Sequence, residues 1–138
     1  MAEFIYAYDL DGGERRTKVF KSAGALESGV PVVLSSGAIA EAASGATSGV
    51  VGVTAYGASA AGEEVEVITN RGAVFKVEYE GTTKTFLTED DLGAKFGYNP
   101  TTNKLNLDDT TDGWLIVVAF DNNGKYAWVR IADNVRGI

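Results

Sequence analysis

The groups in this sequence that could do chemistry are carboxylates, and they come in clusters. Asp108, Asp109 and Asp112 form one. Hard cations take several carboxylate and carbonyl oxygens, which makes that run a candidate calcium loop. It lacks the acidic spacing and closing Glu of an EF-hand loop, and aspartates beside Thr and Gly are ordinary turn formers. The expectation is a solvated turn without metal, and Asp9-Leu10-Asp11-Gly12 reads the same way. Glu63/Glu64, Glu64/Glu66 and Asp90/Asp91 are paired carboxylates of the type a glycosidase uses as acid and nucleophile. Such pairs must converge across a cleft, which neighbours on one strand or one turn seldom do. Gly57-Ala58-Ser59-Ala60-Ala61-Gly62 lacks the Gly-Lys-Ser/Thr ending of a phosphate loop and reads as a flexible connection.

The sequence contains no histidine and no cysteine. Ser-His and Cys-His dyads, imidazole and thiolate metal ligands and disulfides are thereby excluded. Trp114, Trp128, Tyr126, Tyr98 and Tyr56 could build a sugar-stacking platform. On hairpin strands such residues more often fill a core or a subunit interface. No enzyme and no cofactor are expected.

What must position these residues is one small domain. The chain has 138 residues, 45% hydrophobic and 22% charged, enough for a single globular unit with its own core. Seventeen glycines against two prolines indicate many tight turns between short elements, which suits an all-β protein. A formal net charge of −7 repels phosphate backbones and anionic lipid, so neither nucleic acid nor membrane is an expected partner. No apolar run approaches the ~20 residues of a membrane-spanning helix. Met1-Ala2-Glu3-Phe4 lacks the regions of a signal peptide, and the expectation is a chain made and kept in a cytosol.

Strand signals recur along the chain. Gly29-Val30-Pro31-Val32-Val33-Leu34, Gly49-Val50-Val51-Gly52-Val53 and Ala61-Gly62-Glu63-Glu64-Val65-Glu66-Val67 alternate with Gly/Ser/Ala corners. After Ser35-Ser36-Gly37 the chain returns through Ala38-Ile39-Ala40-Glu41-Ala42, as a strand or one helical turn. Val51, Val53 and Ala55 recur with period two, and Val65 and Val67 alternate with water-facing glutamates. Past the Asn70-Arg71-Gly72 turn, Phe75, Val77 and Tyr79 share one face. Thr88 followed by Glu89, Asp90 and Asp91 predicts a short α-helix near Thr88 to Ala94. The run from Trp114 to Phe120, turned by Asp121-Asn122-Asn123-Gly124 into Tyr126-Ala127-Trp128-Val129-Arg130-Ile131, is the strongest hairpin signal. Its first strand reads as buried on both faces.

The N-terminal 1–18 segment stands apart. Glu3-Phe4-Ile5-Tyr6-Ala7-Tyr8 is apolar and aromatic, and Glu14-Arg15-Arg16-Thr17-Lys18 carries the densest positive charge. It reads either as an edge hairpin leading into Val19-Phe20 or as a partner-binding arm ending in a mobile turn, ahead of a β domain over 19–138. The fold expected is a β-barrel or β-sandwich-like module.

From about Phe20 onward the sequence resembles the capsid decoration (cement, or head-stabilising) proteins of tailed bacteriophages. The resemblance rests on Phe20-Lys21-Ser22-Ala23-Gly24, the three strand pieces above, the Gly37-Ala38-Ile39 return and Gly72-Ala73-Val74-Phe75. It continues through Leu87-Thr88-Glu89-Asp90-Asp91-Leu92-Gly93 and the closing hairpin. It implies a non-enzymatic virion protein, made in the host bacterial cytoplasm, that docks on the outer capsid surface as a homotrimer. Its partner would be the major capsid protein, whose neighbouring subunits it bridges. Carried onto residues 2–18, the family's capsid-contacting arm gives Phe4, Ile5, Tyr6, Tyr8, Arg15, Arg16 and Lys18 as docking residues. On that reading, removing residues 2–16 abolishes docking and leaves the trimer folded. The alternative is a receptor- or glycan-binding module of a phage tail or baseplate.

Overall fold

Short β-branched runs separated by Gly, Asn and Asp turns leave this backbone little choice but strands. The computed structural model describes residues 3–137 and is all-β. Strands β1 (Ile5–Asp9), β2 (Thr17–Ser22), β3 (Pro31–Ser35), β4 (Ala38–Glu41), β5 (Val50–Thr54) and β6 (Glu64–Ile68) form the first half. The second half holds β7 (Ala73–Glu80), β8 (Lys95–Asn99), β9 (Lys104–Asn106), β10 (Leu115–Asp121) and β11 (Tyr126–Ile131).

Two barrels result. The first closes in the order β2-β4-β3-β5-β6, with β2 and β4 parallel and β2 and β6 antiparallel. The second arises because β9 pairs with both β8 and β7, joining β7, β11, β10, β8 and β9 in a ring. β1 lies along residues 73–76 of β7, outside that ring. Val30, Val32, Ile39, Val51, Val65 and Val67 fill the first barrel. The larger core takes Phe75, Val77, Leu105, Leu115 and Val129 from the second barrel, together with Ala42, Val50, Val53 and Ile68 from the first. One core thus spans the contact between barrels, and the chain is a single domain.

A buried polar network crosses the same contact. The Tyr98 hydroxyl of the second barrel donates to the Glu41 carboxylate of the first at 2.6 Å and lies 2.9 Å from Asn103 Oδ1. Asn103 Nδ2 donates to Glu27 Oε2 at 2.6 Å, and Trp114 Nε1 to Ser44 O at 3.0 Å. Burial first, and then the Glu41 and Glu27 carboxylates, push the Tyr98 hydroxyl well above its usual pKa, so it stays a donor at any physiological pH.

Several strand expectations hold. Residues 38–41 form a strand rather than a helical turn, and Val65, Val67, Phe75, Val77 and Tyr79 face inward. The β10–β11 hairpin turns at 122–125, where Asp121 Oδ1 accepts from the Asn123 N–H at 3.0 Å.

Three expectations need correction. The α-helix near Thr88 to Ala94 is one 3-10 turn, Glu89–Asp91. There the Asp91 carboxylate accepts from the Thr88 N–H at 2.7 Å, and the Gly93 N–H already donates to Val117 O at 2.8 Å, committing the chain to β8. β10 is not buried on both faces: Leu115 and Val117 are, whereas Ile116, Val118 and Phe120 are half-buried. Val51 and Val53 do not share a face, since Val51 enters the first barrel and Val53 the core between barrels.

Candidate functional site

Closing both barrels leaves little exposed strand edge. Among the described residues β1 is the one strand paired along a single side, to β7. An open edge offers unpaired N–H and C=O groups to any extended segment that approaches. Along it Ile5 is 57% and Tyr8 44% exposed, large apolar groups left to water. The edge-hairpin reading is not what forms: β1 pairs with β7 and β2 with β4 and β6, so the two strands belong to different sheets.

The loop between β1 and β2 is held in place, and Asn70 holds it. Its Nδ2 donates to Asp9 Oδ2 at 2.8 Å and Glu14 O at 2.7 Å, and its Oδ1 accepts from the Arg16 N–H at 2.5 Å. The Thr69 N–H adds a bond to Arg16 O at 3.0 Å. The bond from Asn70, helped by the Asp11 N–H, keeps the Asp9 carboxyl below its usual range. Sequence reasoning took Asn70 only as a turn former; nothing in the local pattern marks its partners more than fifty residues away.

The docking residues named from sequence therefore divide. Phe4 is only 3% exposed and belongs to the core, so it cannot contact a partner in the folded state. Tyr6 is half-buried, edge-on to Phe75 with centroids 6.1 Å apart. Ile5, Tyr8, Arg15, Arg16 and Lys18 are exposed. Arg15 lines a concavity of about 290 Å³ with Ile5, Tyr6 and Gly29. Arg16 and Lys18 line another, of about 790 Å³, with Asp9, Asn70 and Arg71. Ala2, where the proposed arm begins, lies outside the described residues, as do Met1 and Ile138. Removing residues 2–16 would take Phe4 out of the core and strip β1 from β7, so docking is better probed by substitution at the exposed positions.

The other candidate constellations are engaged elsewhere. Asp108 accepts backbone N–H bonds from Thr82 at 2.7 Å and from Thr83 and Lys84 at 3.0 Å. Asp109 Oδ1 accepts from the Asp112 N–H at 3.2 Å, and Glu63 Oε2 from the Ser59 N–H at 3.1 Å. Among the described residues no three acidic side chains gather as a cation would require. Trp114 and Tyr98 are buried. Lys76 Nζ sits 4.2 Å over the Tyr126 ring and 5.6 Å from that of Trp128, so the five aromatics form no open platform. No helix among the described residues is long and apolar enough to cross a membrane.

The Asp108 clasp makes a pH prediction. The N–H groups of Thr82 and Lys84, its largest influences, hold its carboxyl at about 2, below the usual 3.8. A group depressed by folding stabilises the native state above its unfolded pKa and loses that contribution as pH falls through the folded one. Denaturant melts should show this part of the stability disappearing between about pH 4 and pH 2. Asp108→Asn should lower stability at neutral pH and flatten that dependence; an unchanged acid limb would contradict the clasp.

Compared with known proteins, the chain matches no family model and no curated sequence.

Proposed function

We propose that this chain is a non-enzymatic structural protein of a phage virion that binds the outer surface of the mature capsid as a homotrimer. There it stabilises the shell by bridging neighbouring copies of the major capsid protein. The observation that carries this reading is the one open strand edge among the described residues: β1, with Ile5 and Tyr8 exposed beside Arg15, on a body whose other described strands are paired on both sides. The sequence resemblance from Phe20 onward supports the same assignment. An apolar edge with arginines alongside suits a protein surface that offers extended chain and carboxylates.

The mechanism is mass action. A protein that binds only the expanded lattice lowers the free energy of that lattice relative to its immature or ruptured forms. A trimer that engages several capsid subunits turns weak single contacts into firm attachment through effective concentration.

The test is sedimentation of the purified protein with mature, undecorated phage heads and, separately, with immature shells. The protein should pellet with the expanded heads alone. The combined variant Ile5→Ser, Tyr8→Ser, Arg15→Glu should stay in the supernatant while keeping its fold. Wild-type protein that ignores both particles yet binds a glycan panel would overturn the capsid assignment in favour of a tail or baseplate module. A triple variant that still decorates heads would remove the β1 edge from the contact.

A further inference from the structure

Residues 82–92 form a fixed loop that presents apolar groups to water. Leu87 is buried, and the Asn122 side chain grips its backbone: the Leu87 N–H donates to Oδ1 at 3.1 Å, and Nδ2 donates to Leu87 O at 2.8 Å. Asp108 fastens residues 82–84, and Lys84 Nζ lies 3.0 Å from the Asp91 carboxylate. On this frame Phe86 is 58% exposed and Leu92 46%. Between them Glu89 and Asp90 have no ion-pair partner among the described residues. An apolar ring held out on backbone that is already ordered loses little further freedom when it docks.

A matching surface lies at the opposite end of the same sheet. A groove of about 340 Å³ is lined by Leu10, itself half exposed, with Arg71, Arg130, Asp11 and Asp133. Arg71 meets Asp133 at 3.5 Å, but both side chains are 64% exposed, and a pair so solvated yields readily to a better-placed carboxylate. Behind them the Arg136 guanidinium donates to Thr69 O and Asn70 O, and its Nε has no hydrogen-bond partner among the described residues. Burial, and then repulsion from Arg71, lower the Arg136 pKa, so the cluster gains from added negative charge.

We infer that copies of this chain associate head to tail, the Phe86–Glu89–Asp90–Leu92 loop of one seating in the Leu10–Arg71–Arg130 groove of the next. The chemistry is complementary. The loop offers a ring and two carboxylates without an ion-pair partner among the described residues. The groove offers an exposed Leu with Arg71, Arg130 and the underlying Arg136, three guanidinium groups against the two carboxylates of Asp11 and Asp133. The loop follows the end of β7 and the groove its beginning, about 25 Å apart over eight strand residues, so one chain cannot satisfy both. Two different patches make a heterologous contact, which closes into a ring when the rotation permits. The inference rests on the proposed homo-oligomer and assigns its surfaces, leaving Ile5, Tyr8 and Arg15 free for the capsid.

Sedimentation velocity of the full chain, without capsids, tests it. Wild-type protein should sediment as a closed oligomer that weakens with added salt. Glu89→Arg with Asp90→Arg, and separately Arg71→Glu with Arg130→Glu, should each sediment as folded monomers by circular dichroism. An equimolar mixture of the two variants should associate again, because the reversed loop meets the reversed groove. Phe86→Ser, a surface change that spares the fold, should also lose assembly. A monomeric wild type, a reversed variant that assembles normally, or a mixture that stays monomeric would each overturn the contact. The capsid proposal fails separately: an oligomer that ignores heads leaves this contact standing, and a monomer that decorates heads removes this contact and the homotrimer while leaving capsid binding in place.

Discussion

Phe4→Ala should cost about 3–5 kcal/mol of folding stability, the usual range for truncating a fully buried aromatic. Its ring meets Tyr98 edge-on at 5.6 Å and Phe75 at 6.4 Å, and its N–H donates to Gly29 O at 2.7 Å. Truncation would open a void against the ring whose hydroxyl ties the two barrels together, and would remove two edge-to-face contacts. Urea melts would show the midpoint falling with an unchanged slope if the native state keeps its compactness. Ile5→Ser and Tyr8→Ser, on the same strand but in water, should each cost less than about 1 kcal/mol. A Phe4→Ala loss no larger than theirs would mean that the start of β1 is not packed as described.

The contrast matters for the proposed docking because one hexapeptide, Glu3 to Tyr8, would carry two jobs. Phe4 and the half-buried Tyr6 anchor β1 to β7, and that anchorage holds Ile5 and Tyr8 at a fixed edge. A docking strand already ordered in the free protein saves the conformational cost that a loose arm would bear on binding. Asn70 extends the same principle into the loop, holding the backbone on either side of Arg15 through Glu14 O and the Arg16 N–H. Deletion of the N-terminal segment would confound docking with folding, whereas exposed-residue variants separate them.

How far the sequence could be read follows from what periodicity encodes. Alternation in Glu64-Val65-Glu66-Val67 and in Phe75, Val77 and Tyr79 reports which face is wet, and there the expected faces are the observed ones. The Asp121 to Gly124 run also marks its own hairpin, although the loop spans 122–125 and its left-handed residue is Lys125, φ +57°, rather than Gly124. Alternation does not say which strand lies alongside. The parallel β2–β4 pairing that helps close the first barrel, and the union of β1 with a β7 more than sixty residues away, left no local trace. The docking set was half legible for the same reason. Aromatic character marked residues 4–8 as unusual, but only the register against β7 separates buried Phe4 from exposed Ile5 and Tyr8. Thr88 gave a sound start signal, yet a helix needs room for propagation, and Gly93 enters the strand network within five residues.

Gly52→Ala should destabilise the protein by about 3 kcal/mol or more, combining forbidden backbone geometry with overpacking. Gly52 has φ +153°, and a Cβ there would sit 1.9 Å from Ile68 O and 3.0 Å from Val67 Cγ1. The reason lies in the register of β5 against β3. Val32 opposes Gly52 and Val33 opposes Val50, so Val51 is one residue more than its partner strand supplies, a β-bulge. The bulge resets the alternation. Val51 turns into the first barrel while Val50 and Val53, three apart and in regular strand on opposite faces, both enter the core between barrels. Relieving the clash by shifting β5 from β6 would break the Val53–Ile68 pairing and loosen both cores at once. Gly24→Ala is the control, with ordinary φ and nothing within 4 Å of the added methyl, and its stability should change by about 0.5 kcal/mol or less. If Gly52→Ala proved equally silent, the bulge would not be the joint between barrels, and the rigidity that carries the β1 edge and the 82–92 loop as one body would need another source.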